Sequence, residues 1–381
     1  MKDRAPARPI AAYRRGMRRR GGGLFRKPEG IGTCPRKREQ TMKAVVFRPP
    51  RGLVYEEAPD YQVAADEVLV RVANTGFCGS DHSLVAGGFL PDGYILGHEI
   101  SAVVVEKGAA ADGPPVGTKV CIRPTYCGHC ANCLRGKQQL CRVHRRTTGI
   151  GDLPGGFAEY VKVFPQMLIP IPEGVDSRNA ALAETFASAL HAINCTGHET
   201  GSALVMGGGP IGLSTVRILK ILGYNPIVLF EPIKEKRDIA LVYGADHVFD
   251  PGEKDLNLQV MAIVQGGFHK IFECSGVTAN VGRAIHLAAD CGQVCIVSVM
   301  FKPLDLPEPY MINFKEVRLT ASISNTHEEN RLCLNWMAAG KLDARPLISD
   351  LAPLAKLPDV YRERIESGLA IKVLLQIGDE F

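Results

Sequence analysis

The stretch Leu204-Val-Met-Gly207-Gly-Gly209-Pro210-Ile211-Gly212 decides how the second half of this chain is read. An apolar run enters glycines spaced G-x-G-x-x-G, and an amphipathic run then continues to residue 222. The expectation is a strand turning sharply into a helix. Gly207 makes the turn, Gly209 lets the backbone approach a pyrophosphate, and Gly212 lets the helix pack on the sheet. Pro210 suits the first helical turn, where its missing N–H is not needed, and Ile211 follows it at the cofactor side. The free N–H groups of that turn and the helix dipole attract phosphate. Nineteen residues past Gly212 the next strand ends at Glu231, where a carboxylate accepts hydrogen bonds from ribose hydroxyls. Glu231 opposes a 2′-phosphate, whereas Lys236 and Arg237 reach toward one; NAD is therefore expected over NADP.

Outward from this turn the texture is alternating. After about residue 186 strands at Ile227–Phe230, Lys270–Cys274, Gln293–Val299 and Val317–Ser322 interleave with helices at 210–222, 234–243 and about 280–289. Such alternation calls for parallel βαβ units in a doubly wound sheet. Before that point, short strands such as Met42–Phe47, Glu67–Val72 and Ile100–Val105 are separated by Gly and Pro turns, which reads as a β-rich region. A length of 381 residues suits two domains of common size. No apolar run approaches the ~18 residues that a membrane-spanning helix requires.

Charge is uneven along the chain. Residues 1–41 hold thirteen Lys or Arg against Asp3, Glu29 and Glu39, a net +10, which leaves the remainder at −5. That arm shows neither helical nor strand period and is expected to be disordered. Three accounts compete for it: an upstream extension without function, an organelle targeting peptide, and a basic arm for nucleic acid or anionic membrane. Met42, which opens a clean strand, reads as a natural start and favours the first account. A cytoplasmic protein is then expected, or an organelle-matrix one if the arm is a targeting peptide; nucleic-acid binding is not.

Four of the twelve cysteines crowd into fifteen residues, Cys127-Gly-His-Cys130-Ala-Asn-Cys133 and Cys141. Thiolates this close surround one tetrahedral ion, usually zinc; with every position filled by protein, the ion braces a loop rather than catalyses. An iron–sulfur cluster is the rival, but its fourth Cys normally comes sooner and is followed by Pro. Cys121, Cys195, Cys274, Cys291, Cys295 and Cys333 lie in apolar stretches and read as inert buried thiols. Cys78 in Cys78-Gly-Ser80-Asp81, His98 in Gly97-His-Glu99, and Glu184 in Ala183-Glu-Thr-Phe are each unremarkable alone.

Together with the four-Cys loop and the glycine-rich turn, these residues resemble the zinc-containing medium-chain dehydrogenase/reductase family, in order, from about residue 42 to 381. The resemblance implies a GroES-like catalytic domain from 42–185 and 324–381, with a Rossmann NAD-binding domain at 186–323 between its halves. It implies two zinc ions per chain. Cys78, His98 and Glu184 hold the catalytic one, with Glu99 as an additional or alternating ligand, while Cys127, Cys130, Cys133 and Cys141 hold the structural one. Glu184 in place of a second Cys resembles the polyol and threonine dehydrogenase branch. The implied activity is NAD-linked hydride transfer from an alcohol, with zinc as Lewis acid, Ser80 in the proton relay and Asp81 orienting His98. The relay histidine often found five residues after the first ligand is absent: Ser83 stands there, and His82, one residue earlier, reads as a surface residue. A homodimer or homotetramer is the family expectation.

Arg123, at the end of the strand Lys119-Val-Cys-Ile-Arg123, falls in the family near the substrate. Either it pairs with a carboxylate such as Glu99 or Glu159, or it binds a hydroxyl-rich or anionic substrate, with Phe89 and Tyr94 as apolar walls. A polyol or polar secondary alcohol is accordingly expected, with a threonine- or aminocyclitol-type substrate as the alternative. A zinc-free reductase of the same superfamily would lack the seven ligands.

Overall fold

The computed structural model describes residues 41–197 and 199–381. The basic arm, apart from Thr41, lies outside the described residues, so the three accounts of it are not addressed by the fold.

Six parallel strands form the sheet that the alternating second half predicts. Their order is His247–Phe249, Ile227–Phe230, Ala203–Met206, Phe268–Glu273, Ala288–Ile296, Arg318–Ala321. The strands are apolar on both faces because both faces are covered. Ala203, Val205, Ile227 and Leu229 pack to one side with helix Pro210–Leu222, while Leu204, Met206, Val228 and Phe230 pack to the other with Leu256, Val260, Ala284 and Leu287. That is a doubly wound sheet, with its order reversing beside Ala203–Met206, where the glycine turn leaves the strand.

The fifth of these strands starts earlier than its apolar run suggests. Its ladder with Phe268–Glu273 pairs Phe268 with Ala288, then jumps to Lys270 opposite Gln293. Cys291 sits in that irregularity at φ 58° and is exposed, which corrects its reading as a buried thiol.

A second, seven-stranded sheet is mostly antiparallel and runs Ile348–Pro353, Lys372–Gln376, Val68–Gly76, Glu99–Lys107, Lys119–Ile122, Leu168–Pro170, with Tyr160–Val163 also pairing Val68–Gly76. Leu374 stands opposite Gly76, so the end of the chain completes a sheet begun near its start. Between strands Leu168–Pro170 and Ala203–Met206 lies helix Ser177–Asn194. Asp176 caps it by accepting the Asn179 N–H at 2.8 Å. Its residues are buried nearly all round because it packs on Pro210–Leu222, His327–Ala338 and Glu99–Lys107 at once. No helix among the described residues is long and apolar enough to cross a membrane.

Candidate functional site

The four-Cys loop closes on itself. Cys127 and Cys133 sulfurs are 3.8 Å apart, Cys130 and Cys133 3.5 Å, Cys130 and Cys141 3.9 Å. A zinc ion with Zn–S bonds of ~2.3 Å at the centre of a tetrahedron sets sulfurs about 3.8 Å apart, which these three distances approach, and all four sulfurs lie within 4.8 Å of one another. Among these thiols, burial works against a charged Cys141, but backbone hydrogen bonds around Cys127, His144 and Val143 outweigh it and bring its pKa down to about 6, whereas burial pushes Cys133 up to about 12.

The scattered set is assembled by a turn and a strand. Cys78 caps helix Gly79–Gly87, and Asp81 in its first turn accepts the Cys78 N–H at 2.9 Å through Oδ2. Oδ1 of the same carboxylate faces the Gly97 N–H at 3.4 Å and His98 Nδ1 at 3.3 Å, the latter too oblique for a full hydrogen bond. Asp81 thus ties the Cys78 turn to the segment bearing His98 and leaves the other ring nitrogen for a metal. Burial disfavours an imidazolium at His98, yet Asp81 and Cys78 hold its pKa well above the ordinary value. A position so strongly set to receive positive charge suits a divalent cation.

Cys78, His98 and Glu99 offer ligand atoms within 4.8 Å of one another; Glu184 is not in that group. Both Glu99 oxygens, however, are engaged by the buried Lys372 ammonium, at 2.7 and 2.9 Å, and Oε1 also accepts from Thr185 at 3.1 Å. Burial alone would lower the Lys372 pKa; Glu99, with Cys78 and Glu184, keeps it raised, so the pair is ionic. Glu184 differs. Its Oε1 collects Arg123 Nη1 at 3.2 Å, Asn325 Nδ2 at 3.0 Å and Ser188 Oγ at 3.2 Å, and no hydrogen bond reaches Oε2 among the described residues. Burial would raise its pKa, but Arg123, then His98 and Lys372, hold it below the usual carboxylate range.

Arg123 therefore pairs with Glu184, not with Glu99 or Glu159: Glu99 is taken by Lys372, and Glu159 accepts the Lys43 N–H at 2.7 Å. Cys78, Ser80, His98, Arg123 and Glu184 line one cleft of about 550 Å³, whose apolar wall comes from Ile122, Ile150, Val297, Val299 and Ile323. Phe89 and Tyr94 are not walls of it. Phe89 is 80% exposed, and the Tyr94 hydroxyl is spent on the Gly151 and Leu153 carbonyls at 2.8 and 3.2 Å. His82 packs against Tyr361, with its Nδ1 3.1 Å from the hydroxyl, and does not line the cleft.

Ile211 brings the glycine turn to the same cleft. Gly207 adopts φ 101°; a Cβ on Gly212 would fall 1.8 Å from the Gly207 carbonyl, whereas one on Gly209 would meet nothing within 4 Å. The open space is at Gly209, which suits the close backbone approach that a G-x-G-x-x-G turn offers to phosphate. Glu231 is buried, accepting the Gly208 and Ile233 N–H groups at 2.6 and 2.9 Å, so it braces the turn. Arg237 is held by the Glu231 and Pro232 carbonyls, each at 2.7 Å; Lys236, half-buried, stands beside it on helix Lys234–Tyr243.

Two family models match the chain: the alcohol dehydrogenase GroES-like domain over residues 64–173 and the zinc-binding dehydrogenase domain over 210–339. The chain belongs to the zinc-type medium-chain dehydrogenases. This dehydrogenase is 32% identical to a sorbitol dehydrogenase of Halalkalibacterium halodurans, over 84% of its own length and 94% of the relative's. It is 29% identical to an L-threonine 3-dehydrogenase of Rhizobium etli, over 88% and 98%. Among solved structures, a zinc-binding dehydrogenase of Sinorhizobium meliloti bound to NADP superposes with a TM-score of 0.81 at 31% identity, covering 89% of this chain and all of that one. The dehydrogenase is thus an oxidoreductase with zinc and NAD(P) as cofactors, built from a GroES-like region and a Rossmann sheet.

Several residues of the site escape a reading by motif. Lys372 is one, although a lysine inside Ile371-Lys-Val-Leu-Leu375 is itself a signal of a buried ion pair. Ser188 and Arg145, which line the cleft, and Asn325, buried behind Glu184, are others: they are ordinary surface types in the sequence and reach the site only when separate segments meet.

Proposed function

We propose that this enzyme oxidises a polar secondary alcohol or polyol with NAD, reversibly, in the cleft shared by Cys78, His98, Glu184, Arg123 and Ile211. The observation that carries this is the convergence of an incomplete ligand set and the glycine turn on one cavity with a guanidinium in its wall. Cys78, His98 and Glu184 hold the catalytic zinc, and Cys127, Cys130, Cys133 and Cys141 the structural one. Glu99 is the poorer ligand at rest, because turning to a metal would strand a buried lysine. The zinc supplies Lewis acidity and the nicotinamide exchanges the hydride. Asp81 orients His98. Ser80, whose hydroxyl lies 3.8 Å from the Cys78 sulfur, carries the proton away from the substrate hydroxyl. Gly207, Gly209, Pro210 and Gly212 hold the pyrophosphate and Glu231 the ribose. The catalytic domain spans 42–185 and 324–381 and the nucleotide domain 186–323. A cytoplasmic homodimer or homotetramer is the assembly we propose.

The test is a panel of simple alcohols, polyols, hydroxy amino acids and aminocyclitols assayed for NADH formation. Polyols or polar secondary alcohols should exceed ethanol in kcat/KM, and Arg123→Leu should narrow the gap. Equal efficiency with short aliphatic alcohols would overturn the substrate class. NAD should exceed NADP by about tenfold or more in kcat/KM, since a 2′-phosphate would meet the Glu231 carboxylate. A preference for NADP would mean that Lys236 and Arg237 outweigh it.

A further inference from the structure

We infer that the substrate carries an anionic group, a carboxylate or phosphate, seated by Arg145 together with Arg123. The inference rests on the proposed reaction in this cleft and names the class of alcohol it takes.

Both guanidinium groups line the cavity. Arg123 is only 4% exposed; its charged contact is a single one, through Nη1 to Glu184, and its buried Nε has no partner among the described residues. Arg145 is less provided for. Its Nε is also buried without a partner, its one described hydrogen bond reaches a carbonyl, that of Gln139 at 3.4 Å, and no ion pair to it occurs among the described residues. The other acid on the cleft, Asp152, is spent on Arg146 and on the Thr147 N–H at 2.9 Å. Two cations thus face the cavity against one carboxylate, and a zinc ion adds more positive charge than Cys78 removes.

Holding an uncompensated cation at a half-enclosed wall costs stability, and unpaired buried N–H groups add to that cost. A neutral polyol supplies acceptors but no charge. An anionic oxygen group supplies both, and guanidinium forks match carboxylate and phosphate geometry. Thr147 and Thr148, on the same cavity, add hydroxyl donors beside Arg145.

The experiment compares a hexitol, the matching aldonic acid and the matching terminal phosphate with NAD. At least one anion should exceed the neutral hexitol about tenfold in kcat/KM, chiefly through KM, with the advantage shrinking as salt rises. Arg145→Gln should cut that ratio about tenfold and Arg145→Lys should restore most of it, with circular dichroism and zinc content checking the fold. The carboxylate and phosphate arms tell which headgroup is used. A hexitol equal to both anions, or an unchanged ratio in folded Arg145→Gln, overturns the inference. If nothing in the panel is oxidised, the polyol reading fails instead. Calorimetric binding of gluconate to the enzyme–NADH complex then decides separately: affinity lost in Arg145→Gln supports the anion site, and affinity unmoved by the variant or by salt defeats it.

Discussion

The two ligand clusters of this enzyme are built in opposite ways. Cys127, Cys130, Cys133 and Cys141 come from fifteen consecutive residues, and their sulfurs all lie within 4.8 Å of one another. Cys78, His98, Glu99 and Glu184 come from a turn, a strand and a helix spread over more than one hundred residues. The first cluster is closed and satisfied from within. The second is held from outside, by Asp81 behind His98, Lys372 on Glu99, and Arg123, Asn325 and Ser188 on Glu184. A closed local cluster stabilises a loop, whereas a scattered one supported by a shell of partners leaves one side open for chemistry.

The most forceful way to break this comparison is to remove one thiol from each cluster. Cys130→Ser should release the structural zinc and lower stability by several kcal/mol, on the order of a structural metal's share of folding energy. Cys78→Ser should keep the melting temperature within a few degrees while turnover falls on the order of 10³-fold. Thermal unfolding, metal content and initial rates measured on both variants decide it. A Cys78→Ser protein that unfolds as readily as Cys130→Ser would erase the distinction between bracing and catalysing sites.

A sharper version sets the two carboxylates against each other. Glu99→Gln leaves the Lys372 ammonium buried without its partner and should destabilise by about 3–5 kcal/mol, most of it recovered in a Glu99→Gln/Lys372→Met double variant. Glu184→Ala should instead cost turnover and catalytic zinc affinity with a smaller loss of stability. Denaturant titrations and zinc dialysis separate the outcomes. Unchanged turnover in Glu184→Ala would make Glu99 the carboxylate ligand.

The smallest effect lies where the local cluster touches the rest of the molecule. Gln139, two residues before Cys141, contacts the buried His191 ring at 3.0 Å, and the other ring nitrogen faces both Glu329 oxygens at 3.0 Å. Burial opposes the imidazolium, but Cys195 and Glu329 raise the His191 pKa from 6.5 to about 9. A raised pKa means that the stabilisation is complete below about 6.5 and lost as pH rises through about 9, up to about 3 kcal/mol in all. Unfolding free energy should therefore decline over that window in wild type and decline less in His191→Gln. Identical slopes would remove His191 as the titrating group.

Much of this is legible in the sequence. Helices Pro210–Leu222 and Lys234–Tyr243 fall where the apolar period put them, because each runs between a glycine-rich or turn segment and a closing glycine, Gly223 and Gly244, in the left-handed region. The strands Ala203–Met206 and Ile227–Phe230 are equally plain, being short apolar runs bounded by turns. Phe89 and Tyr94 stay out of the cleft for a physical reason: apolar character near a ligand in sequence does not say which way a side chain faces after a helix ends, and the chain leaves helix Gly79–Gly87 through Gly88 at φ 64° before reaching Phe89.

By itself, then, the sequence determined what depends on neighbours within a turn or two: the strand–glycine–helix unit for a dinucleotide, the four-thiolate loop, and the alternation that yields a parallel sheet. Tertiary structure alone decided which charges meet. Arg123 pairs with Glu184, while both oxygens of Glu99 are held by Lys372 on the final strand, paired to Val68–Gly76. Ion pairing between buried groups is settled by distance and desolvation, and both are properties of the packed chain rather than of residue order.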